Sequence, residues 1–232
     1  MLCNFSHRIQ SNTVFIFIQN KMTLTEQLRE LAEGSLKRHP GEAQDIMKNG
    51  INELINSSML DKAYRTGQKI PNIELPNATG ETVKINDVLQ NNKVVLAFYR
   101  GGWCPYCNLE LKALQNALPQ IEAKGAKLIA IAPEAPDNSL TTKEKNELSF
   151  EVLSDTNNQT AKEMNLVFRL PASLETLYKK FGINLDANQN NTNQELPIAA
   201  TYIVEQDGTI SYHFLEEDYK LRADPSEILT AL

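Results

Sequence analysis

The sequence predicts a three-layer α/β fold, and two observations lead to this prediction. Short apolar runs typical of buried strands, such as Lys93–Tyr99 and Lys127–Ala132, alternate with segments of helical periodicity. The chain has 232 residues, of which 41% are hydrophobic, so it can form one core of ordinary size. Strands that alternate with helices in this way form a sheet covered by helices.

Residues 1–21 differ from the rest of the chain. They are polar apart from the run Val14–Ile18, and they show no helix or hairpin pattern. A more regular sequence begins at Met22. We therefore expect residues 1–21 to be a disordered or non-native leader, with Met22 as the natural start.

Residues 22–66 predict a helical extension. A first helix is capped at Thr23 or Thr25 and runs to about Arg38, and a second covers about residues 42–58. Both helices carry an apolar stripe. We expect these stripes to pack against the main domain, and a homodimer contact is the alternative.

Residues 67–232 predict the main domain, which opens and closes with a β-hairpin. The turn residues are Asn77–Gly80 in the first hairpin and Asp207-Gly208 in the second. Pro119 is expected to kink or split the helix in which it lies. The other predicted elements are strands at 93–99, 127–132 and 151–153, helices at 108–124, 141–148, 160–164, 173–181 and 225–229, and a polar loop at 186–195.

Composition excludes several classes of function. The net charge of −6 disfavours nucleic acid and anionic membranes as partners, because both need a basic surface. No run approaches the ~18 apolar residues of a membrane span. Three cysteines are too few for a secreted disulfide framework. We therefore expect a cytoplasmic protein.

Cys104 and Cys107 are the most informative residues in the chain. They form a Cys-x-x-Cys motif after a buried strand, at the predicted start of a helix. The positive end of a helix stabilises a thiolate, which is the reactive form of cysteine. The spacing places both sulfurs on one side of the first turn, within reach of a disulfide. Pro105 suits the first helical turn, and Trp103 can shield the site.

Two other interpretations of the pair compete with redox use. A zinc site needs further Cys or His ligands, and His213 is the one distant candidate in the domain. Two inert buried thiols are more plausible than zinc, but the start of a helix after a buried strand favours redox use. We expect no metal and no organic cofactor.

The segment Phe98–Cys107 resembles the peroxiredoxin-like branch of the alkyl hydroperoxide reductase/thiol-specific antioxidant (AhpC/TSA) family. The resemblance extends from about Gly67 to Leu232 and includes the segment Leu196–Tyr202. It implies a thioredoxin-like fold of the peroxiredoxin type, with an N-terminal β-hairpin, here preceded by the helical extension. It also implies an antioxidant thiol peroxidase.

The resemblance permits two assignments of the cysteines. In the thioredoxin pattern, Trp-Cys-x-x-Cys, Cys104 attacks and Cys107 resolves the mixed disulfide. In the peroxiredoxin pattern, Pro-x-x-x-Thr-x-x-Cys, Arg100 takes the place of Pro, Cys104 that of Thr, and Cys107 that of the peroxidatic cysteine.

The sequence departs from both parent patterns. The later-strand Arg of peroxiredoxins and the cis-Pro of thioredoxins both fall on Ala199. The buried acidic residue of thioredoxins falls on Ala97. Arg100 is a candidate to replace part of the groups that polarise a bound peroxide in peroxiredoxins. The alternative is that Arg100 is exposed to solvent.

The leading hypothesis is therefore a thiol peroxidase whose redox disulfide joins Cys104 and Cys107. The thiolate of Cys107, or of Cys104, attacks hydrogen peroxide or an alkyl hydroperoxide, and the other cysteine then condenses with the sulfenic acid. Thioredoxin or a similar dithiol restores the pair. The alternatives are a thiol–disulfide oxidoreductase acting on protein disulfides and a redox-sensing binding module.

Overall fold

A computed structural model describes residues 22–232, and the predicted leader at 1–21 lies outside the described residues. The helices are α1 (Leu24–Arg38), α2 (Glu42–Ser57), α3 (Ile85–Leu89), α4 (Pro105–Ala123), α5 (Pro136–Lys145), α6 (Gln159–Glu163), α7 (Ala172–Lys180), α8 (Leu185–Gln189) and α9 (Pro225–Ala231). The strands are β1 (Glu74–Pro76), β2 (Thr82–Lys84), β3 (Lys93–Phe98), β4 (Ala126–Ala132), β5 (Glu151–Ser154), β6 (Val167–Arg169), β7 (Glu195–Pro197), β8 (Ala200–Val204) and β9 (Ile210–Leu215).

The central sheet has five strands in the order β5-β4-β3-β8-β9. Strand β3 is parallel to β4 and antiparallel to β8, and β4 is parallel to β5. Strands β8 and β9 form the predicted terminal hairpin, and β1 and β2 form the predicted opening hairpin. The three-layer α/β prediction is therefore confirmed.

Strand β3 separates two hydrophobic cores. Val95 and Ala97 face the core that also contains the two cysteines, whereas Val94, Leu96 and Phe98 face the opposite core. Alternation with a period of two explains this division, and burial on both faces explains why the whole strand is apolar.

Helix α1 is part of the core that holds the cysteines. Its N-terminus is closed by a capping box: the Thr23 hydroxyl accepts a hydrogen bond from the Glu26 N–H, and the Glu26 carboxylate accepts one from the Thr23 N–H. Leu24 and Leu28 are buried in this core, and α1 packs on α4. Helix α2 packs on α7, where Gly50 lets Leu174 approach closely.

The structure corrects some predicted boundaries. Helix α4 is continuous and is not split at Pro119, because that residue lies on the exposed side of the helix, where water can satisfy the carbonyl group left unpaired. Helix α5 begins at Pro136, whose fixed φ suits the first helical position. The predicted loop at 186–195 contains most of α8. Among residues 22–232, no helix is both long and apolar enough to cross a bilayer.

Candidate active site

The junction between β3 and α4 positions both cysteines. Cys104 is the N-cap of α4, Pro105 follows at its first position, and Cys107 lies in the first turn. Cys104 is 1% exposed and Cys107 is 0% exposed, and both are free thiols. The predicted location at a helix start, after a buried strand, is therefore confirmed.

The loop before Cys104 is fixed by a buried carboxylate. Glu134 accepts a hydrogen bond from the Gly102 N–H at 2.9 Å, and from the hydroxyl groups of Tyr99 at 3.2 Å and Thr142 at 3.1 Å. A Cβ atom at Gly102 would overlap Thr142 Oγ1, so a larger residue does not fit. Burial raises the pKa of Glu134, and its hydrogen bonds oppose that rise.

Arg100 is buried among aromatic rings, so the alternative of an exposed Arg100 is wrong. Its guanidinium carbon lies 4.5 Å from the ring centre of Tyr219, 5.1 Å from that of Trp103 and 5.7 Å from that of Tyr178. It also donates a hydrogen bond to the Tyr178 hydroxyl. Within residues 22–232 no carboxylate forms an ion pair with Arg100, so its positive charge is available to the two cysteines.

A second buried arginine contacts Cys107. Arg222 Nη2 lies 3.3 Å from the Cys107 sulfur, and Arg222 Nε lies 2.5 Å from Glu110 Oε2. The Arg222 and Glu110 side chains are 1% and 2% exposed. Burial raises the pKa of Glu110 to about 7, against the opposing effect of Arg222.

The two thiols differ in acidity. A hydrogen bond from the Cys107 thiol is the main cause that lowers the pKa of Cys104 to about 6, and the charges of Arg100 and Arg222 add to it. Burial and the neighbouring Cys104 raise the pKa of Cys107 well above its ordinary value. The pair therefore carries one negative charge near neutral pH, and the two directions favour the thiolate at Cys104.

A cavity of about 330 Å³ opens in front of Cys104. Cys104 and Arg100 line it, whereas Cys107 does not. Residues of the helical extension form part of its wall: Leu31, Ser35, Arg38, His39 and Met47. A small molecule in this cavity would meet Cys104 first.

The structure brings together most, but not all, of the residues expected at the site. Cys104, Cys107, Arg100 and Trp103 lie together. Ala199 is buried just before β8, next to the pairing of Ala200 with Phe98, and its side chain is only a methyl group.

Sequence reasoning missed Glu110, Glu134, Tyr178, Tyr219 and Arg222. Glu110 follows Cys107 by three positions and so shares its helix face, which is a usable signal. Arg222 is 115 positions from Cys107, and no local pattern indicates their contact.

The family model described as "AhpC/TSA family" matches residues 66–213. The 1-Cys peroxiredoxin PER1 of Hordeum vulgare is 24% identical over 156 residues, which cover 64% of this chain and 63% of that protein. The putative peroxiredoxin bcp of Coxiella burnetii is 26% identical over 149 residues, which cover 64% of this chain and 87% of that protein. The chain thus spans less than two thirds of the barley relative's length.

Solved structures agree with the fold. Peroxidoxin BcpB of Mycobacterium tuberculosis has a TM-score of 0.57 at 17% identity, covering 72% of this chain and 95% of that one. A mutant of peroxiredoxin 6 of Arenicola marina has a TM-score of 0.56 at 20% identity, covering 72% of this chain and 70% of that one. At such identities the likeness shows the fold alone, and it confirms the prediction of a thioredoxin-like fold of the peroxiredoxin type. Since the family model covers more than half of the chain, the chain belongs to the peroxiredoxin-like AhpC/TSA family.

Proposed function

We propose that this protein is a thiol peroxidase that reduces hydrogen peroxide or alkyl hydroperoxides, with Cys104 as the attacking thiolate. One observation carries the proposal: the cysteine with the lowered pKa is also the cysteine that lines the cavity, beside an arginine without a carboxylate partner among the described residues. Nucleophilic cysteines are thiolates in electropositive surroundings that a substrate can reach. Membership of the AhpC/TSA family supports the same chemistry.

The reaction has two steps at the pair. The Cys104 thiolate attacks one oxygen of the hydroperoxide and the O–O bond breaks. The other oxygen takes up a proton from the surrounding water and leaves as water or an alcohol, and Cys104 is left as a neutral sulfenic acid. Cys107 then attacks the sulfenic sulfur of Cys104, the S–O bond breaks, and water leaves as the disulfide forms. A reduced dithiol protein, thioredoxin or one like it, exchanges with this disulfide and restores both thiols.

Arg100 supplies the positive charge that the reaction needs. Charge develops on the leaving oxygen as the O–O bond breaks, and a donor that is already in place stabilises it. Arg100 lines the cavity beside Cys104, and the rings of Trp103, Tyr178 and Tyr219 fix its position. We assign to Arg100 the role of polarising the peroxide, because Ala199 has no polar group with which to do so.

A thiol–disulfide oxidoreductase is the second candidate, because Cys104 at a helix N-cap with Cys107 in the first turn also suits disulfide exchange. Burial bears on the first attack: a protein disulfide, like the protein reductant of the peroxidase cycle, reaches the 1% exposed Cys104 sulfur only if the wall formed by the helical extension moves. A hydroperoxide fits a cavity of about 330 Å³ without such movement.

Stopped-flow fluorescence tests the proposal directly, because Trp103 is the single tryptophan of the chain and lies beside the site. The reduced wild type should react with hydrogen peroxide much faster than a free thiol. Cys104→Ser should abolish this reaction, and Cys107→Ser should retain it. A wild-type rate no faster than that of a free thiol refutes the peroxidase, and rapid reduction of a small disulfide would then favour the second candidate.

Sulfenic acid trapping identifies the first nucleophile. A dimedone-type probe added with peroxide should label Cys104 in the Cys107→Ser variant. Labelling of Cys107 in the Cys104→Ser variant, without labelling of Cys104 in the other, would assign the first attack to Cys107.

Three further assignments complete the proposal. The proposed reductant is thioredoxin or a similar dithiol protein, and measuring peroxide consumption coupled to a thioredoxin system tests it. A cytoplasmic location is supported by the low cysteine count of the chain. A homodimer through α1 and α2 is supported by the exposed side chains of Leu36 and Ile55, and light scattering of the purified protein tests it.

A further inference from the structure

Arg222 ties α4, the helix that carries Cys107, to its own segment of the chain before α9. Besides its contacts with the Cys107 sulfur and the Glu110 carboxylate, Arg222 donates hydrogen bonds to the carbonyl oxygens of Tyr219 at 2.5 Å and Leu221 at 2.6 Å. The guanidinium thus joins helix α4 to the segment before α9. A planar group with five donors in fixed directions holds its partners in one geometry.

The partners of Arg222 compete for its charge. A buried guanidinium fully stabilises one anion, and a second anion beside it is costly. While Glu110 is ionised it compensates Arg222, and Cys107 is held as a thiol. Once Glu110 is neutral, the charge of Arg222 is free to stabilise a thiolate at Cys107.

We propose that Arg222 and Glu110 are positioning residues that decide when Cys107 becomes the nucleophile of the resolving step. This inference rests on the proposed function. Arg222 fixes the Cys107 sulfur one helical turn from Cys104 and stabilises its thiolate, while Glu110 sets how much of that charge Cys107 receives.

Oxidation of Cys104 itself ensures that the resolving step follows the reaction with peroxide. Before the reaction, the Cys104 thiolate opposes ionisation of Cys107. The sulfenic acid that replaces it is neutral, so that repulsion ends when a peroxide has reacted. Cys107 then loses its proton, attacks the sulfenic sulfur, and the departing hydroxide takes up a proton to leave as water. The other charged or titratable groups facing Cys107 are Arg100, Tyr99, Glu134 and Tyr178.

Two substitutions should move the resolving step in opposite directions. Arg222→Met removes the stabilising charge, so the pKa of Cys107 should rise and the sulfenic acid at Cys104 should persist. Glu110→Gln keeps the shape and a hydrogen-bonding oxygen but removes the competing charge, so the resolving step should reach its half-maximal rate at a lower pH.

The measurement has two parts. In a Cys104→Ser background, thiolate absorbance gives the pKa of Cys107. With both cysteines present, rapid mixing with hydrogen peroxide and a dimedone-type probe at set times gives the lifetime of the sulfenic acid. That lifetime should lengthen about tenfold for each unit by which the pKa of Cys107 rises above the working pH. The ion pair of Arg169 and Glu175, whose side chains are 67% and 21% exposed, supplies matched controls, Arg169→Met and Glu175→Gln, which should change neither quantity.

The outcomes separate this inference from the proposed function. If both variants lose stability but keep the wild-type pKa of Cys107 and the wild-type sulfenic acid lifetime, Arg222 only anchors the C-terminal segment and the inference is wrong. If no protein forms a sulfenic acid, the proposed function fails instead. If Arg222→Met does not fold, Glu110→Gln decides by the shift of its pH profile.

Discussion

The guanidinium of Arg100 is surrounded by aromatic rings rather than by carboxylates, and this environment affects the pKa of Cys104. Aromatic faces hold a guanidinium without neutralising it. Its charge therefore helps to lower the pKa of Cys104, which a carboxylate partner would prevent.

Arg100→Met should raise the pKa of Cys104 from about 6 toward the ordinary value of a thiol. At neutral pH the reaction with peroxide should slow, and part of the rate should return as the pH is raised and the thiolate forms again. Thiolate absorbance and stopped-flow rates across a pH series check this. Tyr178→Phe, which removes one hydrogen bond but no charge, is the control, and an equal pKa in wild type and Arg100→Met would contradict the prediction.

Glu110 predicts a pH dependence of stability. The ordinary pKa of this carboxyl group is 4.5, and burial raises it to about 7 in the folded protein, so the folded state binds the proton more tightly than the unfolded state. The stability gained from this proton is full below pH 4.5 and is lost as the pH rises to about 7. A shift of this size corresponds to a contribution on the order of 3 kcal/mol.

Chemical denaturation of wild type and Glu110→Gln at several pH values isolates that contribution. The difference in the free energy of unfolding between the two proteins should change between pH 4.5 and about 7 and stay level outside that window. A constant difference across the window would show that Glu110 has an ordinary pKa.

Individual residues of the site also show what can and cannot be predicted from the sequence. Cys104 and Cys107 are recognisable from local spacing, because both the motif and the helix start are local. The burial of Arg100 depends on Tyr178 and Tyr219, which come from other elements. The contact of Arg222 with Cys107 arises only from the fold.

Among the elements, the loop between β3 and α4 is held by Glu134 and leaves no space for a side chain at Gly102. Gly102→Ala would place a methyl group against Thr142, so it should cost about 1–3 kcal/mol of unfolding free energy and slow the peroxide reaction by displacing Cys104. Thr142→Ala removes the opposing hydroxyl and should recover part of the loss in the double variant. Thermal unfolding of the single and double variants measures this coupling.

Gly34→Ala in α1 is the matched control. Its new Cβ would meet only the far end of the Arg38 side chain, which can move away. Because alanine favours a helix over glycine by about 1 kcal/mol, this variant should be as stable as wild type or more stable. A large loss in Gly34→Ala and none in Gly102→Ala would contradict the packing described for the loop.

Elements with a strong hydrophobic periodicity or a clear turn sequence were predictable, and short or irregular elements were not. The hairpins were indicated by Asn77–Gly80 and Asp207-Gly208, and β3 by its apolar run. Strand β6 pairs with β7, which lies across a helical segment of the chain, so neither strand has a local signal. The predicted split at Pro119 is wrong, because propensity ignores whether water reaches the helix at that point, and the alternative of a kink stays a prediction.

At the scale of the whole molecule, the helical extension and the domain share one core. Leu28 is 4% exposed and belongs to the same cluster as Cys104 and Cys107. Leu28→Ala should therefore cost about 2–5 kcal/mol, and it should do so in a single unfolding transition that includes the active site.

Glu30→Ala on the same helix is the control, because Glu30 is exposed and its loss should change stability by less than about 0.5 kcal/mol. Far-ultraviolet circular dichroism and Trp103 fluorescence should report the same midpoint in Leu28→Ala. Separate midpoints, with the fluorescence transition unchanged, would mean that the extension unfolds independently of the site.

The overall topology was accessible from sequence because the resemblance around Phe98–Cys107 supplied it, together with the alternation of strands and helices. The cavity could not be predicted from the sequence, because its wall combines residues of α1 and α2 with residues of the domain. The predicted division at residues 66 and 67 stays a prediction, and the shared core shows how closely the two parts are joined.

The spacing of the two cysteines has a consequence for how long the catalyst lasts. A sulfenic acid that meets a second peroxide before it is resolved becomes a sulfinic acid, which a dithiol cannot reduce. Cys104 is the N-cap of α4 and Cys107 lies in the first turn, so under the proposed cycle no segment must unfold to bring the resolving sulfur to its target. The protein should therefore survive many turnovers in excess peroxide with little irreversible inactivation, whereas Cys107→Ser should be inactivated within a few.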